Sequence, residues 1–339
     1  MIISYRFFIV VIHSFIFAVL ASNLTLYSND YYNYLEIFHS INESSTSRIE
    51  PLFFLVTKLA SYIDLNFTIY WLLLSFLSFY IKLSILEKQK CSVMMLVALY
   101  ILYFSSLGII HEITQIRASI AIAFGCLFLY EWSSNKKIAA ISFLLISIGM
   151  HYSAFLFLFS FAIRLGKGTL SFVRIVLLMF LAVMLPIIIE YSAHVLNAIN
   201  PLFYYYLNNS ENAMTGGVLS ITTALAIMSL LPVFIFLRKY KVKGFLLYNF
   251  RLYIMGVMFL ISFSFSPVIS IRVYELLSFC LFIIVAVLFS NNEKYIGFVN
   301  INGDRGFNII RCCFLIVLTV ISLHRHVAFL YVHPILNFR

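Results

Sequence analysis

The sequence predicts an all-α polytopic integral membrane protein, and its composition and the spacing of its apolar runs carry that prediction. Of its 339 residues, 63% are hydrophobic and only 11% are charged, whereas an ordinary soluble domain carries about 25% charged residues. Apolar runs close to the ~20 residues that cross a bilayer recur along the chain. We expect residues 1–339 to form one transmembrane domain of about eleven transmembrane or half-transmembrane helices, with one further helix on the outer membrane surface.

The basic residues act as orientation signals and do not indicate a nucleic-acid partner. The net charge is +10, but Lys and Arg cluster between apolar runs, where they set membrane orientation. That rule places Arg6 at the N-terminus inside, together with the stretches 87–90, 133–137 and 238–243. The lipid bilayer is therefore the expected partner of these basic residues. The 5 cysteines lie in apolar runs or in loops that are expected on the inner side of the membrane, so no disulfide framework is expected.

The first part of the chain contains predicted full spans and one surface helix. The loop 28–66 is expected outside, and its apolar segment 51–63 is too short to span the bilayer. Thr57, Lys58 and Ser61 give that segment a polar stripe, so we expect it to lie at the interface. The predicted spans of this part are residues 7–27, 67–86, 93–110 and 113–132.

The apolar region 138–163 is predicted to be a broken pair of half-helices. A single span would place the densest basic loop, 238–243, outside and so invert the charge rule. Two short arms that turn near Gly149 keep that loop inside, and broken helices occur where they line a cavity. His151 then lies at the outer tip of the pair.

The second part of the chain continues with the same alternation. Its outside loop 190–216 contains no Lys or Arg. Pro267 is expected to break the chain before Arg272, and the tail after residue 323 is expected outside. The predicted spans are residues 175–189, 217–237, 245–265, 273–289 and 309–323.

Ionisable side chains near the outer ends of the spans are the candidate functional residues, because charge within an apolar run is costly. Arg117 lies about one turn inside a run, and it either snorkels to the headgroups or belongs to a site. Arg272 and Glu275 share a helix face, and they either pair with each other or leave Arg272 to bind a ligand. Two arginines from different helices would suit the oxygens of a phosphate.

The sequence gives no sign of a metal ion or another cofactor. His324 and His326 are two positions apart, and no His-Glu-x-x-His pattern occurs. The glycine-rich phosphate loops and the Gly-x-Ser-x-Gly nucleophile motif are also missing from the sequence. We therefore expect no metal and no cofactor.

Short aromatic, charged and histidine motifs follow one another along the chain: Asp30-Tyr-Tyr-Asn-Tyr34, Glu50-Pro-Leu-Phe-Phe54, Arg117-Ala-Ser-Ile-Ala121, Lys136-Lys137, His151-Tyr-Ser-Ala154 and Arg272-Val-Tyr274. This ordered set resembles the Wzy-type O-antigen and exopolysaccharide polymerases, in particular their EpsG-like branch. The order and rough spacing hold from Asp30 to Glu275, most of the chain. The loop 190–216 departs from the pattern, since many polymerases of this type place basic residues in a large outer loop.

The resemblance implies a GT-C-like polymerase that transfers a glycan on the outer face of a bacterial inner membrane. The donor that it implies is a growing glycan on undecaprenyl pyrophosphate, and the acceptor is a second lipid-linked repeat unit. A chain-length regulator is a further partner that it implies. The product would be O-antigen, capsule or exopolysaccharide.

The resemblance and the chemistry of the outer residues together give each candidate a role. Arg117 and Arg272 are expected to stabilise the charge that develops on the leaving pyrophosphate. His151 is the first candidate for the base that takes the acceptor proton, ahead of the carboxylates of Asp30, Glu112 and Glu275. The candidate catalytic residues are His151, Arg117, Arg272 and Glu275, and the candidate substrate-binding residues are Asp30, Tyr31, Tyr34, Glu50, His111 and Glu112.

Two other functions stay open at this point. Broken helices and buried arginines also occur in transporters, so a flippase for lipid-linked oligosaccharide is one alternative. A ligase that joins finished polymer to another acceptor is the other. A polymerase deletion strain should show a surface glycan one unit long, a flippase mutant should accumulate units facing inside, and a ligase mutant should retain free lipid-linked polymer.

Overall fold

A computed structural model describes most of the chain: residues 5–28, 30–41, 49–162, 177, 180–184, 220–264, 266–290, 295–297 and 305–332. The chain divides into two compact units. Unit 1 comprises Met1–Phe157, Ala286–Asn292 and Ser322–Arg339, and unit 2 comprises Leu158–Val285 and Glu293–Ile321. The expectation of one domain over residues 1–339 stays a prediction.

Helices account for nearly all of the described residues, and 8 of those described are long and apolar enough to cross a membrane. The prediction of an all-α polytopic membrane protein is therefore confirmed, whereas the number of crossings and the GT-C-like arrangement stay predictions. Short 3-10 turns follow α1, at Thr25–Tyr27, and α7, at Tyr152–Leu158. The helices are α1 (Tyr5–Leu24), α2 (Tyr31–Ser40), α3 (Pro51–Tyr62), α4 (Phe67–Glu87), α5 (Val93–Tyr103), α6 (Ile116–Ser133), α7 (Lys137–Met150), α8 (Phe159–Ala162), α9 (Ile221–Lys239), α10 (Gly244–Ser262), α11 (Pro267–Leu288) and α12 (Arg305–Val332).

Unit 2 contains one small strand pair, which the sequence analysis did not predict. Strand β1 (Lys241–Val242) runs antiparallel to β2 (Ile296–Gly297), with Lys241 opposite Gly297. The basic stretch between α9 and α10 is thus partly extended. Its predicted location on the inner side of the membrane stays a prediction.

The junction between the predicted spans 93–110 and 113–132 differs from the prediction. Helix α5 continues beyond Tyr103 as a wide π-helical segment, Phe104–Thr114, and α6 does not begin until Ile116. We call Phe104–Thr114 the π segment. The break falls instead at Gln115, whose φ of −127° and ψ of 54° are not helical.

His111 and Glu112 consequently lie inside the π segment, although the sequence analysis placed them in an outer connection. Two buried side chains hold the end of this segment. The Trp71 indole Nε1 donates to the Glu112 carbonyl oxygen at 2.8 Å, and Thr25 Oγ1 donates to the Ile113 carbonyl oxygen at 2.8 Å. The backbone of this stretch is therefore held by hydrogen bonds inside the protein, where a loop was predicted.

The predicted break within residues 138–163 is confirmed. Helix α7 ends at Met150, and His151 takes an extended conformation with φ −160° and ψ 122°. A 3-10 turn begins at the next residue, Tyr152. The side of the membrane on which His151 lies stays a prediction.

The short helix predicted at residues 51–63 is present as α3, but the predicted polar stripe does not form one exposed face. Lys58 is exposed and Ser61 is half-buried, whereas Thr57 is buried. The Thr57 hydroxyl lies 2.7 Å from the Tyr70 hydroxyl of α4, which satisfies it inside the protein. The exposed face also carries Leu55, Leu59 and Tyr62. The location of α3 on the membrane surface stays a prediction.

Two late helices are longer than predicted. Pro267 begins α11 instead of breaking the chain before Arg272, since a proline fits the first helical position. Helix α12 extends past the predicted end at residue 323 to Val332, so His324 and His326 are helical and do not form a tail. The predicted span 175–189 and loop 190–216 lie outside the described residues, except for 177 and 180–184.

The packing of unit 1 brings three helix ends together. Helix α4 packs against α1 and α6, and α7 packs against both α6 and α3. Fully buried aromatic side chains such as Trp71 and Phe79 fill α4's contacts with its neighbours. As a result, the start of α3, the start of α6 and the break after α7 become neighbours.

Candidate active site

Four of the residues singled out by sequence meet around one carboxylate in unit 1. Glu50 Oε2 accepts a hydrogen bond from Arg117 Nη1 at 2.8 Å. Glu50 Oε1 lies 2.6 Å from His151 Nδ1. The Tyr34 hydroxyl accepts a bond from Arg117 Nε at 3.3 Å. We call Tyr34, Glu50, Phe53, Arg117 and His151 the Glu50 cluster.

Proline places the Glu50 carboxylate. Pro51 begins α3 and disfavours a helical conformation at the residue before it. Glu50 accordingly has φ −61° and ψ 139°, and its side chain makes no capping bond to α3. Its carboxylate is thus directed to Arg117 and His151, and only 6% of the side chain is exposed.

Arg117 is held by two aromatic rings as well as by Glu50. It lies in the first turn of α6, and its guanidinium carbon is 5.3 Å from the ring centre of Tyr34 and 5.5 Å from that of Phe53. A cation over an aromatic face gains about 0.5–2 kcal/mol. With 26% of its side chain exposed, Arg117 is fixed in the cluster and is not simply snorkelling to headgroups.

His151 comes into reach of Glu50 because α7 approaches α3 very closely. The contact is at Gly149, where an added Cβ would lie 2.9 Å from Leu52 Cβ. Only glycine allows that distance without a shift of either helix. Two residues later the backbone leaves the helix, and His151 extends toward the carboxylate with 32% of its side chain exposed.

We expect Gly149→Ala to separate α3 from α7 and to weaken the Glu50–His151 contact. Overpacking of this kind costs about 1–3 kcal/mol. Heat denaturation of the purified protein should show a lower midpoint, and the activity that depends on the Glu50 cluster should fall. Gly256→Ala is the matched control, because its Cβ would lie 3.1 Å from Leu277 Cβ in unit 2. The control should lose stability but keep that activity; a Gly149→Ala protein that matches wild type in both respects would contradict this packing.

The ionisation of Glu50 fixes the tautomer of His151. Burial raises the pKa of the Glu50 carboxyl, but the hydrogen bond from His151 and the charge of Arg117 outweigh burial and lower that pKa to about 2. The carboxylate is therefore ionised and can only accept hydrogen bonds. Nδ1 of His151 must carry the proton that lies between them, so Nε2 of the neutral ring has a free lone pair.

The depressed pKa of Glu50 gives a defined dependence of stability on pH. Its pKa falls from 4.5 to about 2 on folding, so ionised Glu50 stabilises the protein above about pH 4.5, and this contribution is lost as the pH falls toward 2. Wild type should exceed Glu50→Gln in thermal midpoint near neutral pH, and the gap should narrow over that acidic interval. The exposed Glu36 offers the control Glu36→Gln. A gap that stays constant down to pH 2 would contradict the assignment.

Tyr34 completes the cluster as a neutral hydroxyl. Burial raises the pKa of Tyr34, and the neighbouring Arg117 offsets that effect only in part. The ring packs edge-on against Trp71, with ring centres 5.1 Å apart. A protonated phenol that accepts from Arg117 still has its own O–H to donate.

The cluster combines three chemical capacities. His151 Nε2 can accept a proton, Arg117 can bind and stabilise an anion, and Glu50 holds both in place. The partial exposure of Arg117 and His151 leaves them accessible, while Glu50 is shielded. This is the arrangement expected for general-base catalysis beside a developing negative charge.

His111 and Glu112, predicted as substrate-binding residues, are instead buried in unit 1. Glu112 is 0% exposed and His111 is 1% exposed. Glu112 pairs with Lys82, with 2.8 Å between Oε1 and Nζ. The Nδ1 atom of His111 has no hydrogen-bond partner among the described residues. Substrate contact by either residue stays a prediction, and the burial of both argues against it.

The remaining predicted residues lie in two places. Asp30 and Tyr31 are half-buried at the start of α2, one turn before Tyr34, and Tyr31 packs against Phe67. Arg272 and Glu275 belong to α11 in unit 2, where Arg272 is exposed and Glu275 is 8% exposed. The predicted convergence of Arg272 with Arg117 on one anion stays a prediction.

Sequence reasoning missed Phe53 and Lys82. Phe53 reads as one more apolar residue of α3, and only the fold shows that it underlies Arg117. Lys82 could have been found, because it is a lone charge inside the predicted span 67–86. In the described part of the chain, no group of three or more His, Cys, Asp or Glu residues could hold a metal ion.

Comparison with known proteins supports the family resemblance seen in the sequence. A sequence model of the EpsG family matches residues 6–333, nearly the whole chain. Searches of the curated proteins and of the solved structures return no match. The resemblance that the motifs indicated is thereby confirmed.

Proposed function

The chain belongs to the EpsG family, and from this premise we propose that it is a Wzy-type polymerase. In this proposal it joins undecaprenyl-pyrophosphate-linked oligosaccharide units into O-antigen, capsule or exopolysaccharide. It works in a bacterial inner membrane, with the Glu50 cluster facing the periplasm or exterior. The donor and acceptor are both lipid-linked glycans, and a chain-length regulator is a further proposed partner.

One observation carries the proposal. A single buried carboxylate, Glu50, contacts an arginine and a histidine that are both partly exposed, at 2.8 and 2.6 Å. Glycosyl transfer from a pyrophosphate needs a base for the acceptor hydroxyl and a cation for the leaving group. The cluster supplies both, a histidine and an arginine, on the two oxygens of one carboxylate.

The acceptor is activated at His151 in this mechanism. Its Nε2 takes the proton from the acceptor hydroxyl while Nδ1–H donates to Glu50. The acceptor oxygen then forms a bond to the anomeric carbon of the donor sugar. Ionised Glu50 stabilises the imidazolium that results, as the third member of a catalytic triad does.

The leaving group departs at Arg117. As the new glycosidic bond forms, the bond between the anomeric carbon and the pyrophosphate oxygen breaks, and its electron pair stays on that oxygen. The products are one longer lipid-linked glycan, one lipid pyrophosphate and the proton on His151. Arg117 binds the developing charge with its planar guanidinium, and the Tyr34 hydroxyl can donate to the same oxygens.

The other predicted residues have proposed supporting roles. Arg272 would bind the pyrophosphate from a second helix, with Glu275 placing it. Asp30 and Tyr31 would contact the acceptor sugar beside Tyr34.

A deletion strain tests the proposed class of function. Its surface polysaccharide should run on a gel as a single repeat unit, and the gene carried on a plasmid should restore the full ladder. Accumulation of units on the inner side would instead indicate a flippase. Free lipid-linked polymer of normal length would indicate a ligase.

A further inference from the structure

A second polar cluster lies buried in unit 1, and the proposed reaction does not use it. Its centre is the ion pair of Lys82 in α4 and Glu112 in the π segment, and both side chains are 0% exposed. The Tyr103 hydroxyl donates to both Glu112 oxygens, at 2.8 and 3.0 Å. Ser119 Oγ donates to Oε1 at 2.6 Å, and Ser78 Oγ does so at 3.1 Å. We call these five residues the Glu112 cluster.

Stability alone does not account for this cluster. Burying two charges costs free energy that their attraction only repays when the geometry is excellent, and an apolar pair of similar volume is often as stable. Lys82 Nζ donates to Glu112, to Tyr103 at 2.7 Å and to Ser119 at 2.8 Å. Each of its protons thus has an acceptor, which fixes the relative positions of the helices that carry these groups.

The first link from this cluster to the Glu50 cluster runs along α6. Ser119 follows Arg117 by two positions in the same helix start, and the Ser119 amide donates to the Gln115 carbonyl at 3.0 Å. The Ser119–Glu112 bond therefore ties the first turn of α6 to the π segment across the break at Gln115. It sets the rotation of the turn that carries Arg117.

The second link runs through Trp71. Its indole donates to the Glu112 carbonyl oxygen at 2.8 Å, and its ring packs against Tyr34, with ring centres 5.1 Å apart. Tyr34 in turn lies beneath the Arg117 guanidinium and accepts its Nε–H. Glu112 thus constrains the position of Arg117 through two separate sets of contacts.

We propose that Lys82 and Glu112 are positioning residues for Arg117. They hold the π segment in its wide form and keep the break at Gln115, so that Arg117 enters the Glu50 cluster in the correct orientation. If the pair were lost, the segment could relax toward an α-helix, and the face of α6 that carries Arg117 would rotate. π-helical turns are rare and occur often at functional sites. The inference rests on the proposed role of Arg117 in binding pyrophosphate.

The test replaces the pair with apolar residues of similar size, as Lys82→Met combined with Glu112→Leu. The purified full-length protein should keep a thermal midpoint close to that of wild type. Its rate of polymer formation should fall about tenfold or more, because a displacement of about 1 Å at a catalytic group can cost a hundredfold. A purely structural pair predicts a stable variant with unchanged polymerisation, and that result would overturn the inference.

A smaller substitution tests the inference if the double variant does not fold. Ser119→Ala removes the hydroxyl through which Glu112, Lys82 and Ser78 are joined to the Arg117 turn. Polymer formation should fall severalfold, whereas the thermal midpoint should fall no further than in the matched control. The matched control is Ser229→Ala in unit 2, which removes a buried serine that lies 2.5 Å from the Tyr253 hydroxyl. The control should polymerise as wild type does. Equal rates in Ser119→Ala and wild type would overturn the inference.

Binding of farnesyl pyrophosphate, used as a defined probe, shows whether the cluster acts through Arg117. Arg117→Lys and Ser119→Ala should each weaken binding of the probe. The combined variant should bind the probe as tightly as Arg117→Lys alone. Additive losses of affinity would mean that Ser119 acts independently of Arg117. That result would overturn the positioning role of the Glu112 cluster but leave the pyrophosphate site standing. If wild type and Arg117→Lys bind the probe equally, or wild type does not bind it, the pyrophosphate site fails and the inference fails with it.

Discussion

Arg117→Lys should reduce polymer formation about 100- to 1,000-fold, the range seen when one preorganised charge stabiliser is removed. Lysine keeps the positive charge but loses the planar fork that meets Glu50 and the Tyr34 hydroxyl together. Surface polysaccharide from cells that carry the variant should run as one or a few repeat units. Immunoblots should show normal amounts of the protein in the membrane.

Arg251→Lys is the matched control for this substitution. Arg251 is also partly buried, and its Nη1 donates to the Ser160 carbonyl at 2.9 Å within unit 2. Polymer of normal length is expected from the control. Arg272→Lys, made alongside, tests the predicted second arginine, and normal polymer from both Arg117→Lys and Arg272→Lys would refute the anion site.

His151→Gln should lower polymer formation by about 100- to 10,000-fold, which is the usual contribution of a general base. Glutamine can still donate to Glu50, so the helix ends should remain together, but its amide has no basic nitrogen. Cells should accumulate the lipid-linked unit and show little chain growth. A gel of surface polysaccharide and an extract of the lipid-linked units measure the two effects.

His13→Gln controls for the loss of an imidazole. His13 Nδ1 also lies within hydrogen-bond distance of an acceptor, the Ile9 carbonyl at 2.8 Å, but in α1. The control should make polymer of normal length. If His151→Gln does so too while Arg117→Lys does not, the base is another residue and the anion site stands.

Much of the site was visible in the sequence, because polar residues are conspicuous in an apolar chain. Arg117 stood out as a costly charge, His151 as a residue at a helix break and Glu50 as part of a short motif, and the fold brings the three together. What sequence could not supply was the partner of each group. Arg117 pairs with Glu50, from a different helix and 67 positions away in sequence, and periodicity within one helix cannot reveal such a contact.

The errors have a common physical cause. Polar residues between two apolar runs predicted a loop at His111 and Glu112, whereas inside the protein Lys82 pairs with the Glu112 carboxylate and Trp71 donates to the Glu112 carbonyl. A hydropathy value includes the cost of burying a charge, but it does not include the stabilisation that a buried partner provides. The break at His151 was predictable because it follows from the charges of the flanking loops and not from pairing.

The most direct test of the central claim uses the substrate that the deletion strain should accumulate. Lipid-linked units extracted from that strain are mixed with the purified wild-type protein in lipid nanodiscs, and the glycan products are separated by length. We predict a ladder of products, with one lipid pyrophosphate released for each new linkage, and little or no ladder with Arg117→Lys or His151→Gln. Units that remain single with the folded wild-type protein would contradict the account.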